Sequence, residues 1–356
     1  MGRIIFSINP GGGSTKVALY EDEREMRSES IRHSTEELAK FSSTIEQLGY
    51  RSSMINSLLD AWRTDKSILS AVVGRGGPFK PLVSGTYRVN EKMLSDIREG
   101  RVAADHPSNL GALLAYEMAQ PLGIPAFIVD PVSVDEFIPE SRISGLPEIE
   151  RRSLSHALNM KMVGRKAASR LGKKYQELNL VIVHLGTGIS IGAHRKGRQI
   201  DVNNANDGGP IAPQRTGYLP VTQLVKLCFS GKYDQKTLMN KITKEGGLLA
   251  HLGSDHAQEL YRKAQDDEKV ALVLRAMVQS IAKEIAAQAA VLSGEIDAIV
   301  ITGGMAYEPK LVEDVSNKVK FITPTILVFP GEDELEALSL GALRVLTGEE
   351  EAMTYE

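Results

Sequence analysis

The chain has 356 residues, of which 42% are apolar and 24% charged; this exceeds what one hydrophobic core usually serves, so two domains are expected. A net charge of −3 argues against nucleic acid or an anionic membrane surface as general partners, although a few arginines around one phosphorylated ligand would not move that total. The single cysteine, Cys228, excludes an intramolecular disulfide and a cysteine-based metal cluster.

Met1-Gly2-Arg3 runs straight into the apolar stretch Ile4–Ile8, too short for a signal peptide, and no run of about 18 apolar residues marks a membrane span. A soluble cytoplasmic protein is therefore expected. Ile4 to Lys16 reads as a strand ending in a glycine-rich polar turn, Asn9-Pro10-Gly11-Gly12-Gly13-Ser14-Thr15-Lys16, and Val17 to Tyr20 as a second strand. Ser34 with Glu37 forms a capping-box signature ahead of Leu38, Phe41, Ile45 and Leu48, and a second helix is expected over Ser53 to Arg63. Ile68 to Val73 reads as a buried strand that delivers Arg75 into Gly74-Arg75-Gly76-Gly77-Pro78. Helices follow from Asn90 and from Ser108, then a buried strand Ala126 to Val129 with Asp130 at its end. Asp135 to Arg152, rich in carboxylates, Pro and Gly, reads as a connection between domains, followed by a helix from about Glu148 that carries His156 and Asn159.

The second half restarts on the same plan. Leu180 to Leu185 leads into Gly186-Thr187-Gly188, then into a second strand, a turn at Lys196-Gly197 and a third strand. The repeat is weak in identity but clear in order. A polar loop follows from Asn203 to Pro220. Leu224 to Phe229 reads as one side of a helix that buries Cys228. A long helix spans about Asp267 to Ser293, a strand reaches Thr302 ahead of Gly303-Gly304-Met305, and a last helix runs from about Glu332 to Leu346. Because each glycine turn leads into a strand and not into a helix, the pattern is neither a Rossmann unit nor a Walker loop. It indicates two α/β domains.

Glycine turns leave backbone N–H groups open to an anion. Each turn alone could be an ordinary hairpin; two together point to a nucleotide held in a cleft between related domains. Arg75 and Arg215, both set among glycines, offer planar forks for phosphate or carboxylate oxygens. Asp130 sits where α/β proteins place ligand-facing groups, or caps a helix. His156 and His184 are ligand-facing or satisfied core histidines. Glu332, Asp333 and Glu334 either complement a helix N-terminus or hold Mg²⁺.

These segments in this order resemble the acetate and butyrate kinases, acyl-phosphate-forming members of the actin/sugar-kinase/Hsp70 superfamily, with the butyrate branch nearest. The resemblance rests on Asn9-Pro10-Gly11…Ser14-Thr15-Lys16, Val72-Val73-Gly74-Arg75-Gly76-Gly77, Asp130-Pro131-Val132 and Ser155-His156-Ala157-Leu158-Asn159. It continues through His184-Leu185-Gly186-Thr187-Gly188, Asp201-Val202-Asn203-Asn204-Ala205 and Pro330-Gly331-Glu332-Asp333-Glu334. It implies two duplicated actin-like (ribonuclease H-like) α/β domains, residues 1–150 joined by 331–356, and residues 151–330. The implied reaction is reversible transfer of the ATP γ-phosphoryl group to the carboxylate of a short-chain fatty acid, butanoate first, with ATP/ADP and Mg²⁺. A kinase for another short or branched acid, or a non-catalytic nucleotide switch, are the rival readings. By resemblance, Arg75, Arg215, His156 and Asp130 are catalytic. Asn9, Gly11, Gly12, Gly13, Ser14, Thr15, Lys16, His184, Gly186, Thr187, Gly188, Gly303, Gly304 and Met305 hold the nucleotide, and Asn9, Asp130, Asp333 and Glu334 hold the metal. A homo-oligomer is implied too. Gly12, Gly13 and Thr187 depart from the residues usual in that family, without removing a backbone donor.

Overall fold

In the computed structural model, residues 2–356 are described, and they form two compact units: residues 2–134 with 333–356, and residues 135–332. The strands in chain order are β1 (Ile4–Pro10), β2 (Ser14–Glu21), β3 (Arg24–Arg32), β4 (Ala71–Arg75), β5 (Thr86–Arg88) and β6 (Ala126–Val129) in the first unit. The second unit holds β7 (Asn179–Leu185), β8 (Ile189–Arg195), β9 (Arg198–Val202), β10 (Ala298–Gly303) and β11 (Ile326–Pro330). The chain then adds β12 (Met353–Thr354) to the first unit.

The two sheets share one plan. The first runs β12-β5-β6-β4-β1-β2-β3 and the second β11-β10-β7-β8-β9. In each, three antiparallel strands form a meander whose first strand pairs in parallel with the fourth. The likeness extends to detail: the pairing of second and third strands slips at Leu19/Tyr20 in one sheet and at Ala193/His194 in the other. A bulge of this kind increases the local twist of the meander. The glycine turns close on Pro10↔Thr15 and on Leu185↔Ile189, so the second is one residue shorter.

Helices cover the sheets because the strands are apolar on both faces. In the first unit, helix Leu110–Ala119 packs on β1, β4 and β6 around Phe6, Ile8, Val72, Leu113 and Ile128, and helix Glu334–Leu346 also packs on these strands, with Gly341 against Val129. In the second, helices Ala157–Arg170 and Glu268–Val291 pack on β7 and its neighbours around Val183, Ile191, Met277, Ile281 and Ile301. Among the described residues no helix is long and apolar enough to cross a membrane.

Three local expectations change. The Ser34 capping box forms, but its helix stops at Leu38; a 3₁₀ turn follows at Ile45–Gln47, and the chain is α-helical again over Leu48–Ala61. The break falls where Ser42 donates both its N–H and its hydroxyl to Glu46, a local alternative to helix bonding. The helix expected from Glu148 begins at Ala157, after His156. Before it, Arg151 forks onto Asp201 and Gln199 holds Ser155, which fastens the segment along β9. Cys228 is exposed and not buried. Its helix, Val221–Cys228, buries none of its residues, and Phe229 beside it is 86% exposed, so the apolar side has no core behind it.

Candidate functional site

In the first unit the site is assembled at the ends of β1, β4 and β6. The turn after β1 is drawn tight by the Gly11 N–H, which donates to the Ser14 carbonyl (2.7 Å), and by the His33 N–H, which donates to the Gly13 carbonyl (2.9 Å). Gly12 and Gly13 are exposed, and a Cβ on either would meet nothing within 4 Å. Lys16 is exposed beside them. Thr15 turns the other way: its hydroxyl is buried, 2.8 Å from His33 Nε2 and 2.9 Å from Arg51 Nη1. Its side chain braces the turn from behind, leaving only its backbone on the open face.

Arg75 ends β4, where the backbone passes extremely close to helix Leu110–Ala119. A Cβ on Gly74 would stand 1.9 Å from the Gly111 carbonyl oxygen, and one on Gly111 would stand 2.2 Å from the Arg75 carbonyl oxygen. Only paired glycines permit this crossing. The Arg75 guanidinium forms an ion pair with Glu334, whose second oxygen accepts from the Asn9 carboxamide. Burial would raise the Glu334 carboxyl, but Arg75, with smaller help from Asn9 and Lys16, outweighs it and holds that group below the usual carboxylate range. Burial and the nearby Arg75 together push the His106 imidazole down.

Asp130 caps no helix. It stands in left-handed backbone (φ 38°), and its Oδ1 accepts from the Ser84 hydroxyl (2.6 Å) and the Gly85 N–H (2.9 Å), fastening a loop to the end of β6. The last helix begins at Glu334, and Asp333 precedes it, also left-handed (φ 41°) and exposed, with no side-chain cap.

In the second unit His184, at the end of β7, is 1% exposed. Its ring stacks on His156 with centroids 3.8 Å apart and planes within 9°. The Asn159 carboxamide donates to the Glu332 carbonyl (2.9 Å), so its oxygen is the acceptor 2.7 Å from His184 Nδ1. That assigns the Nδ1 proton and directs Nε2 toward Gly186, where a Cβ would lie 2.8 Å away. Nε2 has no hydrogen-bond partner; Glu332 Oε1 is 3.6 Å off. His156 Nδ1 meets the Ser190 hydroxyl at 3.0 Å. The Arg215 guanidinium lies over the second turn, so close that a Cβ on Gly188 would come within 2.5 Å of Nη1, and burial lowers its pKa. Gly303 ends β10 with φ 94°, pressed against the Leu185 backbone, and Gly304 opens to empty space. Met305 is packed in the core at 8% exposure.

In the first unit Glu334 joins Asn9 and Arg75, while Asp130 is tied to Ser84 and Gly85; in the second, His156 stacks on His184 and Arg215 lies against Gly188. Arg51, His33, Asn159 and Ser190 were not singled out for a site role in the sequence. Arg51 and His33 lie far along the chain from the turn they support, with no motif of their own, whereas Asn159 was visible as the residue one helical turn beyond His156. Among the described residues no three His, Cys, Asp or Glu side chains form a metal cage. A magnesium ion carried on phosphates needs only one or two carboxylates, and the ionised, half-buried Glu334 beside Asn9 fits that requirement.

A family described as the acetokinase family matches residues 148–326. The chain is 47% identical to butyrate kinase 1 of Clostridium acetobutylicum over 351 residues, 98% of each chain. It is 45% identical to butyrate kinase 2 of the same organism over 354 residues, 99% of each. Its fold is that of the acetate kinase of Porphyromonas gingivalis, with a TM-score of 0.79 at 19% identity, covering 98% of this chain and 100% of the other. The chain belongs to the acetokinase family, kinases that phosphorylate short-chain carboxylates with ATP.

Proposed function

We propose that this chain transfers the γ-phosphoryl group of ATP to butanoate, giving butanoyl phosphate and ADP, and runs in reverse as well. The observation that carries the reading is the identity of 45–47% with two butyrate kinases over almost the whole chain. The residue inventory supports it. A carboxylate is already ionised at neutral pH and needs no general base; the difficulty is to bring two anions together. A carboxylate oxygen attacks the γ-phosphorus as its bond to the bridging oxygen of ADP breaks. The protein contributes positioning and positive charge.

In the first unit, the backbone N–H groups of Gly12 and Gly13 bind phosphate oxygens, and Arg75, oriented by Glu334, binds acceptor or phosphoryl oxygens. In the second, the Gly186-Thr187-Gly188 turn and the Gly303-Gly304 backbone hold the nucleotide. Arg215 and His156 take up charge on the transferring group. Magnesium, when bound, would screen the phosphate charge, and Glu334 with Asn9 beside it would hold it. Asp130 orients and abstracts no proton. The same resemblance carries a cytoplasmic homo-oligomer.

A hydroxamate assay with ATP, Mg²⁺ and straight or branched acids of two to six carbons tests the reading. The highest kcat/KM is expected with butanoate, by a modest margin, because one methylene is worth only ~1–3 kcal/mol. Turnover of none of these acids overturns the kinase assignment, and a clear preference for another acid overturns the substrate.

A further inference from the structure

Behind the first glycine turn lies a guanidinium that the reaction as described does not use. Arg51, on the helix Leu48–Ala61, is 0% exposed. Its Nε and Nη2 donate to the Gln47 carboxamide oxygen (3.1 and 2.9 Å), and its Nη1 donates to the Thr15 hydroxyl (2.9 Å) and the Ser14 carbonyl (3.3 Å). All these acceptors are neutral. Among the described residues no carboxylate pairs with Arg51. The nearest acid in its hydrogen-bond network is Glu37, reached through Thr15, His33 and Tyr50. Burying a cation without a counter-ion is costly, and proteins ordinarily pair such groups.

The unpaired charge is also well placed. The Ser14 carbonyl that accepts from Arg51 is the one that closes the turn on the Gly11 N–H. The open face of that turn, Gly12 and Gly13, carries no side chain and therefore no hydroxyl or charge of its own. A fixed cation behind a bare backbone turn, with little water around it, adds to the positive potential of the N–H groups in front.

We propose that Arg51 is a phosphate-positioning residue: an uncompensated buried cation that both braces the Gly11–Gly13 turn and supplies the charge that draws polyphosphate to it. Arg51 touches no phosphate and acts through the turn. The inference rests on the nucleotide reading above.

The discriminating variant is Gln47→Glu, nearly isosteric, which supplies Arg51 with a carboxylate and so cancels its charge while keeping its hydrogen bonds. Titration calorimetry with ATP, ADP, adenosine and inorganic tripolyphosphate is run on wild type, Gln47→Glu and Arg51→Lys, with thermal melting of each. For Gln47→Glu the melting temperature is expected to hold or rise while ATP and tripolyphosphate bind about tenfold more weakly, ADP less so, and adenosine unchanged. Arg51→Lys, which keeps the charge, is expected to bind ATP within about threefold of wild type. Unchanged ATP binding in Gln47→Glu, or equal losses for adenosine and ATP, overturns the role of the charge. A tenfold loss in Arg51→Lys with its melting temperature intact overturns it as well. A wild type that binds adenosine but no phosphorylated ligand overturns the phosphate reading of the turn, and this inference falls with it.

Discussion

Glu334 answers to two partners at once, Arg75 on one oxygen and Asn9 on the other, and it is the contact that ties the start of the last helix to the ends of β1 and β4. Its pKa is depressed on folding despite a desolvation cost, so the Arg75 attraction outweighs burial. A carboxyl whose folded pKa is depressed contributes stability above its unfolded value, near the ordinary 4.5, and loses that contribution as pH falls through the lower folded value. Glu334→Gln is therefore expected to destabilise by roughly 1–3 kcal/mol at pH 7, since it leaves Arg75 buried without its counter-charge. The gap between wild type and variant should shrink steadily below about pH 4.5, and melting curves from pH 7 to pH 3.5 check this. A gap that stays constant over that range would mean that the carboxamide preserves what the carboxylate does. In the sequence, Glu334 is legible as part of an acidic cluster at a helix start, suited to a metal or to the helix dipole. The ion pair with Arg75 spans 259 residues of chain and has no local signature.

At the scale of elements, glycine does two different jobs here, and substitution separates them. Gly74 faces the backbone of Gly111, which cannot yield, so Gly74→Ala must drive the helix Leu110–Ala119 off β4. A loss of at least about 2 kcal/mol is expected, in the range of overpacked cores. Gly188 faces the tip of Arg215, a long side chain that can move aside. Gly188→Ala should therefore melt within about 0.5 kcal/mol of wild type and still lose at least tenfold in kcat, because the guanidinium is displaced from the second turn. Denaturant melts beside single-substrate kinetics measure both quantities. Equal behaviour of the two variants in both assays would contradict the distinction. The motifs Gly74-Arg75-Gly76-Gly77 and Gly186-Thr187-Gly188 were legible as strand-end turns from their composition. Which of their glycines serve packing was not, because Gly111 and Arg215 are brought to them only by the fold. The short helix at Val221–Cys228 shows the opposite limit: its apolar periodicity is real, yet periodicity reports a face and not what covers it.

At the scale of the whole chain, the duplication was readable from strand order alone, since a strand, a glycine turn and two more strands recur in each half. What composition cannot convey is that the first unit is built from both ends of the chain. Residues 333–356 return to it: the helix Glu334–Leu346 covers β1, β4 and β6, and β12 pairs in parallel with β5 at the sheet edge. The closing contacts are specific. Tyr355 is 2% exposed, its ring stands edge-on to Phe79 with centroids 6.2 Å apart, and its hydroxyl donates to Asp96. The Asn90 carboxamide donates to the Tyr355 carbonyl (2.8 Å) while its oxygen caps the helix Glu91–Arg98, so one residue joins the tail to that helix. Losing a buried aromatic ring costs roughly 3–5 kcal/mol, and at about 2–4 °C per kcal/mol a chain ending at residue 350 should melt on the order of 10 °C lower. The loss should be local in origin: amide exchange is expected to quicken first in β5 and in Glu91–Arg98, with β7 and β10 as the internal reference. If the shortened chain melts within a degree or two of wild type with protection in β5 intact, then β5 and the helix after it are held by β6 alone, and the tail merely lies on an edge already stable without it.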